Sequence, residues 1–301
     1  MPELPEVETI RIGLQKHLVG HTIQNIQINM AKQINGDVDA IHGAVILEVK
    51  RFGKGLVIDL DNGYSITIHV KMTGQMLYKN QKTTEQVIAG NASHFAKATR
   101  DKKVDIASLP DKYTHVIFKL DKDAFLLYRD VRQFGWIKIV RSDSVASQPF
   151  FKSLGPEPAV AKAMDGRAVL TLKKFQEIVS KRKTPIKMLL MDQGQIAGIG
   201  NIYANDALFV AKIHPTRPAS SLDLNEQTKL FHAIEEVLTK GIEVGGASEW
   251  SYVDALGQAG KYQDFFQVYR KHGQPCPSCG TTIETIRMGG RGTFFCPGCQ
   301  R

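Results

Sequence analysis

Four cysteines, the only ones among the 301 residues, lie close together near the C-terminus. They form two pairs, CPSC at 276–279 and CPGC at 296–299, with 16 residues between the pairs. That spacing is typical of a zinc ribbon, in which two tight turns supply four thiolates to one tetrahedral ion. Two disulfides are the alternative, but the N-terminus lacks the pattern of a secretion signal. We therefore predict one structural zinc, with no coordination position left for catalysis, held by Cys276, Cys279, Cys296 and Cys299.

The charge balance favours an anionic partner. The net charge is +9 and the isoelectric point is near 9.3. A slightly basic, solvated surface is the simpler interpretation, whereas clustered Lys and Arg would gain affinity for nucleic acid through counterion release. The sequence contains no run of 18 apolar residues, so we expect no membrane span and a bacterial cytoplasmic protein associated with the nucleoid.

The N-terminal half predicts one helix followed by strands. In MPELPEVETIRIGL, apolar residues recur at three- and four-residue steps, so a helix with one buried face begins near Pro5. The start of this helix does not explain why Pro2 and Glu3 precede it. Two hairpins are predicted, one around Asn62-Gly63 and one around residues 121–123. The polar, aperiodic stretch from about 80 to 112 reads as a long loop or insertion of unknown role.

The C-terminal half predicts helices and then the cysteine module. Residues 168–243 have helical periodicity, and a glycine-rich loop covers 245–263. The expected domains are 2–145, a linker at 146–166, a helical domain at 167–265 and a zinc finger at 266–301. We therefore predict an α+β multidomain protein.

Several short segments could carry chemistry, although each also has a structural explanation. GQIAGIGNIYANDAL joins two helices through three glycines, which suits either an anion-binding helix N-terminus or a tight turn. RFGKGLVID places Lys54 between two glycines, where an exposed, solvated turn is the usual outcome. Met72, Arg132 and Phe134 lie beside glycines at strand ends, where apolar side chains usually belong to the core. Proteins that unstack a duplex, however, insert apolar side chains next to an Arg.

Taken together, PELPEVE, GIGNIYANDAL, DVRQFG and RGTFFCPGCQ resemble the bacterial formamidopyrimidine-DNA glycosylases over nearly the whole chain. The related endonuclease VIII branch typically begins Pro-Glu-Gly-Pro-Glu, so Leu4 favours the formamidopyrimidine branch. The resemblance implies an N-terminal β-sandwich with a leading helix, a helix–two-turns–helix domain and a four-cysteine zinc finger.

The resemblance also implies a role for the N-terminus. Once Met1 is removed, Pro2 is a secondary amine, and an α-amino group has a pKa of about 7.7–8. The helix dipole would lower that pKa, while Glu3 and Glu6 would raise it. In the family this proline attacks the sugar C1′ to form a Schiff base, and Glu3 matches the residue that assists proton transfer. Lys54 matches a lysine near the damaged nucleotide.

Further contacts with DNA are implied for seven residues. Asn201, Tyr203 and Arg291 match residues that grip phosphates around the lesion, Arg291 being grouped with the catalytic set, and His69 matches a further backbone contact. Three side chains match the group that fills the hole left by the flipped base, with Arg132 pairing with the orphaned cytosine: Met72, Arg132 and Phe134. We call these three the wedge.

The implied activity is that of a monomeric repair enzyme acting on double-stranded DNA that contains oxidised bases or abasic sites. It would excise formamidopyrimidines and 8-oxoguanine and then cleave the strand by β,δ-elimination. One rival is an endonuclease VIII-like glycosylase for oxidised pyrimidines, and another is a non-catalytic zinc-ribbon DNA-binding protein. The loop at 245–263 resembles the family loop that closes over the flipped base. It begins GGASEWSYV where the family commonly has Gly-Gly-Ser-Thr-x-Arg, which affects the expected choice of base.

Overall fold

The leading helix begins where the sequence predicts it. The computed structural model describes residues 1–82, 104–160, 168–249 and 251–301. Helix α1 spans Leu4–Leu18 and buries the apolar stripe Val7, Ile10, Leu14 and Leu18. Among the described residues of the N-terminal half, nine strands follow: β1 Ile23–Ile28, β2 Ile34–Asn35, β3 Ile46–Phe52, β4 Gly55–Leu60, β5 Tyr64–His69, β6 Gly74–Lys79, β7 Thr114–Leu120, β8 Phe125–Asp130 and β9 Trp136–Arg141.

These strands form two sheets around one core, which confirms the predicted β-sandwich. One sheet has the order β2-β9-β5-β4-β3 and the other β1-β7-β8-β6. Alternate residues of both sheets and the apolar stripe of α1 enter the same hydrophobic cluster. Both predicted hairpins are present, since Asn62-Gly63 lies between β4 and β5 and residues 121–124 connect β7 to β8.

The C-terminal half is mainly helical and ends in a two-stranded hairpin. Its elements, preceded by the short helix α2 Pro149–Lys152, are β10 Glu157–Pro158, β11 Val169–Leu170, α3 Leu172–Ser180, α4 Ile186–Met191, α5 Asn201–Val210, α6 Leu224–Glu243, β12 Glu284–Met288 and β13 Arg291–Phe295. Strands β12 and β13 carry the zinc-ribbon cysteines at their flanks. No helix in the described ranges combines the length and hydropathy needed to cross a bilayer.

The chain divides into two compact units whose boundaries differ from the predicted domains. The first unit contains Met1–Lys152 and Val244–Lys261, and the second contains Ser153–Glu243 and Tyr262–Arg301. The predicted linker therefore contributes α2 to the first unit, because the rings of Phe150 and Phe151 pack there. The glycine-rich loop also belongs to the first unit, although it follows α6 in sequence. Most of the predicted insertion, residues 83–103, lies outside the described residues, as do residues 161–167 of the linker region.

Candidate functional site

Pro2 and Glu3 are buried at the start of α1. Glu3 is the residue that precedes the helix, and its main-chain N–H donates a hydrogen bond of 2.7 Å to Glu6 Oε2. A carboxylate in the first turn satisfies an N–H that the helix leaves unpaired and complements the positive end of the dipole. The N-terminal turn is thus held in one position inside the first unit.

Lys54 lies in the turn between β3 and β4, and only 5% of its surface is exposed. The sequence predicted an exposed ammonium here, and that expectation is wrong. Arg51 donates 2.8 Å to Glu8 Oε2 on α1 and 3.0 Å to the carbonyl of Gly53, which draws the turn toward the helix. A Cβ at Gly55 would lie 2.7 Å from the ring of Phe150, so neighbouring side chains cover the turn.

The first unit buries charged residues of both signs. Glu3, Glu6 and Glu8 supply three carboxylates, while Arg51 and Lys54 supply two cations. Ionised groups are buried only when partners compensate them, and the ion pair between Glu8 and Arg51 supplies such a partner here. An amine at residue 2 would lie next in sequence to a carboxylate able to transfer protons, which is the combination needed for nucleophilic attack with acid–base assistance.

His69 ends β5 as a buried, neutral imidazole. Burial, followed by the charges of Lys71 and Lys54, lowers the pKa of His69 to about 3. The main-chain N–H of Lys71 donates 2.9 Å to Nδ1, so the proton of the neutral ring lies on Nε2. The rings of Phe150 and Trp136 pack against the imidazole. His69 can therefore donate one hydrogen bond to an anion but brings no charge.

The structure brings the three wedge residues together on the surface. Met72 and Phe134 are 41% and 55% exposed, and Arg132 is exposed between them. Arg132 Nη1 lies 3.2 Å from Met72 Sδ, and its guanidinium carbon lies 4.8 Å from the ring centre of Phe134. Large apolar side chains exposed next to a guanidinium are the group expected to enter a duplex.

Asp130, which sequence reasoning missed, organises the wedge from below. This buried carboxylate accepts hydrogen bonds from the Thr73 hydroxyl at 2.5 Å, the Arg132 N–H at 3.2 Å and the Gly135 N–H at 2.9 Å. A Cβ at Gly135 would collide with the Tyr128 hydroxyl. Asp130 therefore joins the loop that follows Met72 to the loop that carries Arg132. The sequence feature that could have indicated Asp130 is its position as the first residue of the DVRQFG motif.

The glycine-rich loop is tied to α1 through Glu6. Glu6 Oε1 accepts a 2.8 Å hydrogen bond from the N–H of Ala247, and a Cβ at Gly246 would lie 2.9 Å from the Glu6 side chain. Within the loop, the Tyr252 hydroxyl donates to the Gly245 carbonyl at 3.0 Å. One carboxylate thus holds both the N-terminal turn and this loop.

In the second unit, Asn201 and Arg291 lie near each other. Asn201 begins α5, and its Nδ2 donates 3.2 Å to the carbonyl of Gly292, the residue after exposed Arg291 on β13. Buried Lys187, also missed from sequence, donates to Gly292 O at 3.0 Å and to the Thr293 hydroxyl at 2.7 Å. The sequence feature that could have indicated Lys187 is the presence of a lysine within the apolar run PIKMLL. The N-terminus of α5 and Arg291 together form a cationic surface that suits phosphate.

Tyr203 lies in the first turn of α5 and points its side chain into the core of the second unit. Its side chain is fully buried, with the ring centre 4.7 Å from that of Tyr262. Gly241 allows this, because a Cβ there would lie 2.6 Å from the Tyr203 ring. Because the side chain of Tyr203 is buried, a phosphate contact of this residue would come from its main chain at the start of α5.

The four cysteines form one cluster whose geometry fits zinc. Their sulfur atoms all lie within 4.8 Å of one another, and Sγ of Cys276 lies 3.8 Å from Sγ of Cys299. A tetrahedral ion with Zn–S bonds of about 2.3 Å separates its sulfurs by about 3.8 Å. Disulfides would require about 2.05 Å, so the disulfide alternative does not fit.

Family models match three successive parts of the chain. The Formamidopyrimidine-DNA glycosylase N-terminal domain matches residues 1–137, and the Formamidopyrimidine-DNA glycosylase H2TH domain matches residues 154–252. A zinc finger found in FPG and IleRS matches residues 273–301.

Relatives and solved structures match over all or nearly all of their length. Formamidopyrimidine-DNA glycosylase of Pelotomaculum thermopropionicum is 38% identical, with 100% of this chain and 99% of the relative covered. That of Streptococcus pneumoniae is 36% identical at the same coverage. A Lactococcus lactis FPG mutant in complex with Fapy-dG DNA has a TM-score of 0.81, 33% identity and full coverage of both chains. The Thermus thermophilus MutM (FPG) structure has a TM-score of 0.80 and 34% identity, covering 99% and 98%.

Proposed function

Because this chain belongs to the formamidopyrimidine-DNA glycosylase family, we propose that it excises oxidised purines from duplex DNA and then cleaves the strand at the abasic sugar. The observation that carries this proposal is the buried N-terminal turn, with Pro2 and Glu3 packed inside the unit that also buries Lys54. The non-catalytic alternative gives no reason to bury these groups, since burying charges costs free energy. Lactococcus lactis relatives in complex with Fapy-dG DNA and with abasic DNA support the substrate class.

The proposed reaction begins when removal of Met1 leaves Pro2 with a secondary amine. Its lone pair attacks C1′ of the damaged nucleotide, and the electrons of the glycosidic bond leave with the base, which is protonated as it departs. The nitrogen then loses its proton, the C1′–O4′ bond breaks as O4′ takes up a proton, and the opened sugar is held as an iminium. The iminium makes the C2′ proton acidic, so loss of that proton expels the 3′ phosphate, and a second elimination with loss of the C4′ proton expels the 5′ phosphate. Glu3 exchanges protons with the opening sugar in these steps.

The other site residues bind DNA in this proposal. The wedge fills the space left by the flipped nucleotide, with Arg132 donating hydrogen bonds to the opposite base. Asn201, the first turn of α5 and Arg291 bind flanking phosphates, and neutral His69 donates one further hydrogen bond. One zinc ion on the four cysteines would fix β12 and β13 and thereby orient Arg291; the ion takes no part in the reaction.

Oxidised pyrimidines remain a second substrate class, because a Lactococcus lactis relative at 33% identity was solved with an oxidised pyrimidine in its DNA. Single-turnover excision from duplexes that carry formamidopyrimidine, 8-oxoguanine or thymine glycol separates the two classes. We expect the purine lesions to be released faster. Faster release of thymine glycol would assign the chain to oxidised pyrimidines.

The mechanism is tested by trapping with borohydride, which reduces the iminium to a stable adduct. We expect the adduct to map to residue 2, and Pro2→Gly to keep some activity since a primary amine also forms imines. Protein that retains Met1 should bind damaged DNA but neither excise nor trap, because the amine is displaced by about 3.8 Å. Lys54→Ala should slow excision yet still trap on a ready-made abasic site. Normal trapping by Met1-capped protein, with none by the Lys54 variant, would assign the nucleophile to Lys54.

A further inference from the structure

We propose that Gln75 is a positioning residue that couples the wedge to the capping loop, so that filling the duplex and holding the flipped base occur together. The capping loop is defined as residues 245–252, of which the structure describes all but Trp250. The inference rests on the proposed function and on the resemblance of this loop to the one that closes over the flipped base in the family. All the residues involved belong to the first unit.

Gln75 lies on β6, three residues after Met72, and only 2% of it is exposed. Its Nε2 donates to the carbonyl oxygen of Ser251 in the capping loop. The Ser251 hydroxyl in turn lies 3.4 Å from the carbonyl of Met72 and donates to it. Met72, Gln75 and Ser251 therefore form a closed set of contacts that joins the wedge to the loop across 176 residues of sequence.

The orientation of the Gln75 amide is fixed by Arg129. Arg129 Nη1 donates 3.1 Å to Gln75 Oε1, and a guanidinium can only donate, so the NH₂ group must face Ser251. Arg129 is itself held by Asp111 Oδ2 at 2.8 Å and lies over the ring of Tyr113. The amide reaches the loop as a pre-oriented donor.

The strand register links this tether to the support of the wedge. In the β6–β8 pair, Gln75 is opposite Arg129 and Gly74 is opposite Asp130. Neighbouring residues of one strand point to opposite faces. Asp130 therefore supports the wedge on one face while Arg129 orients Gln75 on the other. If β6 shifts together with Met72, the hydrogen bonds of Ser251 to Gln75 and to Met72 transmit that shift directly to the capping loop.

The coupling has a consequence that separates two steps of the reaction. Base release needs the base held by the capping loop and the duplex filled by the wedge at the same moment. A ready-made abasic site offers no base to hold. Loss of the tether should therefore slow base release and spare trapping at an abasic site, whereas general damage to the fold would lower both.

The test uses Gln75→Glu and Gln75→Met in the full-length protein, with exposed Gln24 on β1 as the matched control, Gln24→Met. Gln75→Glu keeps an acceptor for Arg129 but cannot donate to Ser251, and Gln75→Met removes both contacts at similar volume. We expect single-turnover excision of formamidopyrimidine to fall about tenfold or more in both variants. Trapping on abasic DNA should stay within about twofold of the native protein.

Hydrogen exchange in the DNA-free protein gives a second measurement that does not depend on activity. Amides of residues 245–256 should exchange faster in both Gln75 variants, while amides of β6 and β8 keep their protection. Unchanged excision, unchanged exchange in the loop or an equal loss of abasic trapping would each overturn the coupling. Native protein that fails to trap at all would refute the proposed function instead, and the exchange measurement would still decide whether Gln75 holds the loop.

Discussion

Glu8 and Arg51 form a buried ion pair of 2.8 Å, with 5% and 3% of their side chains exposed. Arg51 also holds the carbonyl of Gly53, so this pair ties the Lys54 turn to the helix that follows Pro2. Pro2 and Lys54, both in the proposed catalytic set, are separated by 52 residues in sequence. Their relative position therefore depends on an interaction that takes no part in the chemistry.

Arg51→Met should lower the free energy of unfolding by about 3–5 kcal/mol, because it leaves the Glu8 carboxylate buried without that partner. Glu8 provides its own control, since it also binds Arg11 at 2.8 Å on a more exposed side. Arg11→Met should cost less than about 1 kcal/mol. Urea titrations of both variants measure the difference. Equal costs would mean that the buried pair does not hold the turn.

Asp130→Asn should weaken the preference for cytosine opposite the lesion. An amide in place of the carboxylate points an NH₂ group at hydrogen-bond donors, either the Thr73 hydroxyl or the Gly135 N–H. The loop carrying Arg132 would then shift, so the variant should lose opposite-base preference, as Arg132→Ala should because it removes the hydrogen bonds of the guanidinium. Excision rates opposite cytosine and adenine measure the preference, and exposed Asp143→Asn serves as the control. An intact preference in Asp130→Asn would remove Asp130 from the support of the wedge.

The elements were predictable from sequence where periodicity and turn chemistry act locally. The stripe of α1 and the turn at Asn62-Gly63 are set by residues within a few positions of each other, and both agree with the structure. The cysteine spacing likewise predicted the cluster, because two short turns determine the positions of all four thiolates.

The features that were not predicted from sequence all depend on contacts between residues that are distant in sequence. Flanking glycines correctly predicted a turn at Lys54, but its burial is decided by Arg51 and by Phe150, which lies almost 100 residues later. Tyr203 follows a glycine turn that suits phosphate binding, yet Gly241 leaves a space that its ring fills. The partner of Gln75 lies 176 residues away, so no local pattern indicates it.

Cys296→Ser should lose the metal and most affinity for damaged duplex. A hydroxyl is a poorer zinc ligand than a thiolate, and structural zinc contributes folding free energy directly. Without it, β12 and β13 would no longer hold Arg291 beside Asn201. Metal content and duplex binding, each measured against Ser278→Ala, test this. A metal-free variant that binds DNA as tightly as the native protein would exclude a role for zinc in orienting Arg291.

Asp206 should make the protein less stable as pH rises toward neutrality. Burial raises the pKa of this carboxyl to about 6 in the folded state, above its ordinary value of 3.8. The folded state thus binds the proton more tightly, so the stabilisation is full below pH 3.8 and is lost as pH rises through 6. As pH rises between these limits, the free energy of unfolding of Asp206→Asn should increase relative to that of the native protein by up to about 3 kcal/mol.

Urea titrations from pH 4.5 to 7.5 with excess zinc measure this difference. The asparagine keeps an acceptor for the N–H groups of Val268 and Tyr269, which bind Asp206 at 3.1 and 3.2 Å. Exposed Asp264→Asn should follow the native pH dependence. Parallel curves for Asp206→Asn and the native protein would show that the buried carboxyl is not titrating in this range.

His69 and Arg291 should respond differently to salt, although both are assigned to phosphate contacts. An Arg–phosphate contact releases condensed counterions, so Arg291→Gln should reduce the slope of log K against log[salt] by about 0.9. His69 is neutral because its pKa is lowered to about 3, so its contact releases none. His69→Gln should weaken binding at every salt concentration and leave the slope unchanged. Binding of an abasic-site duplex between about 50 and 200 mM salt measures both, with exposed Lys122→Gln as the control. A slope that falls equally in the His69 variant would mean that the imidazole binds phosphate in its protonated form.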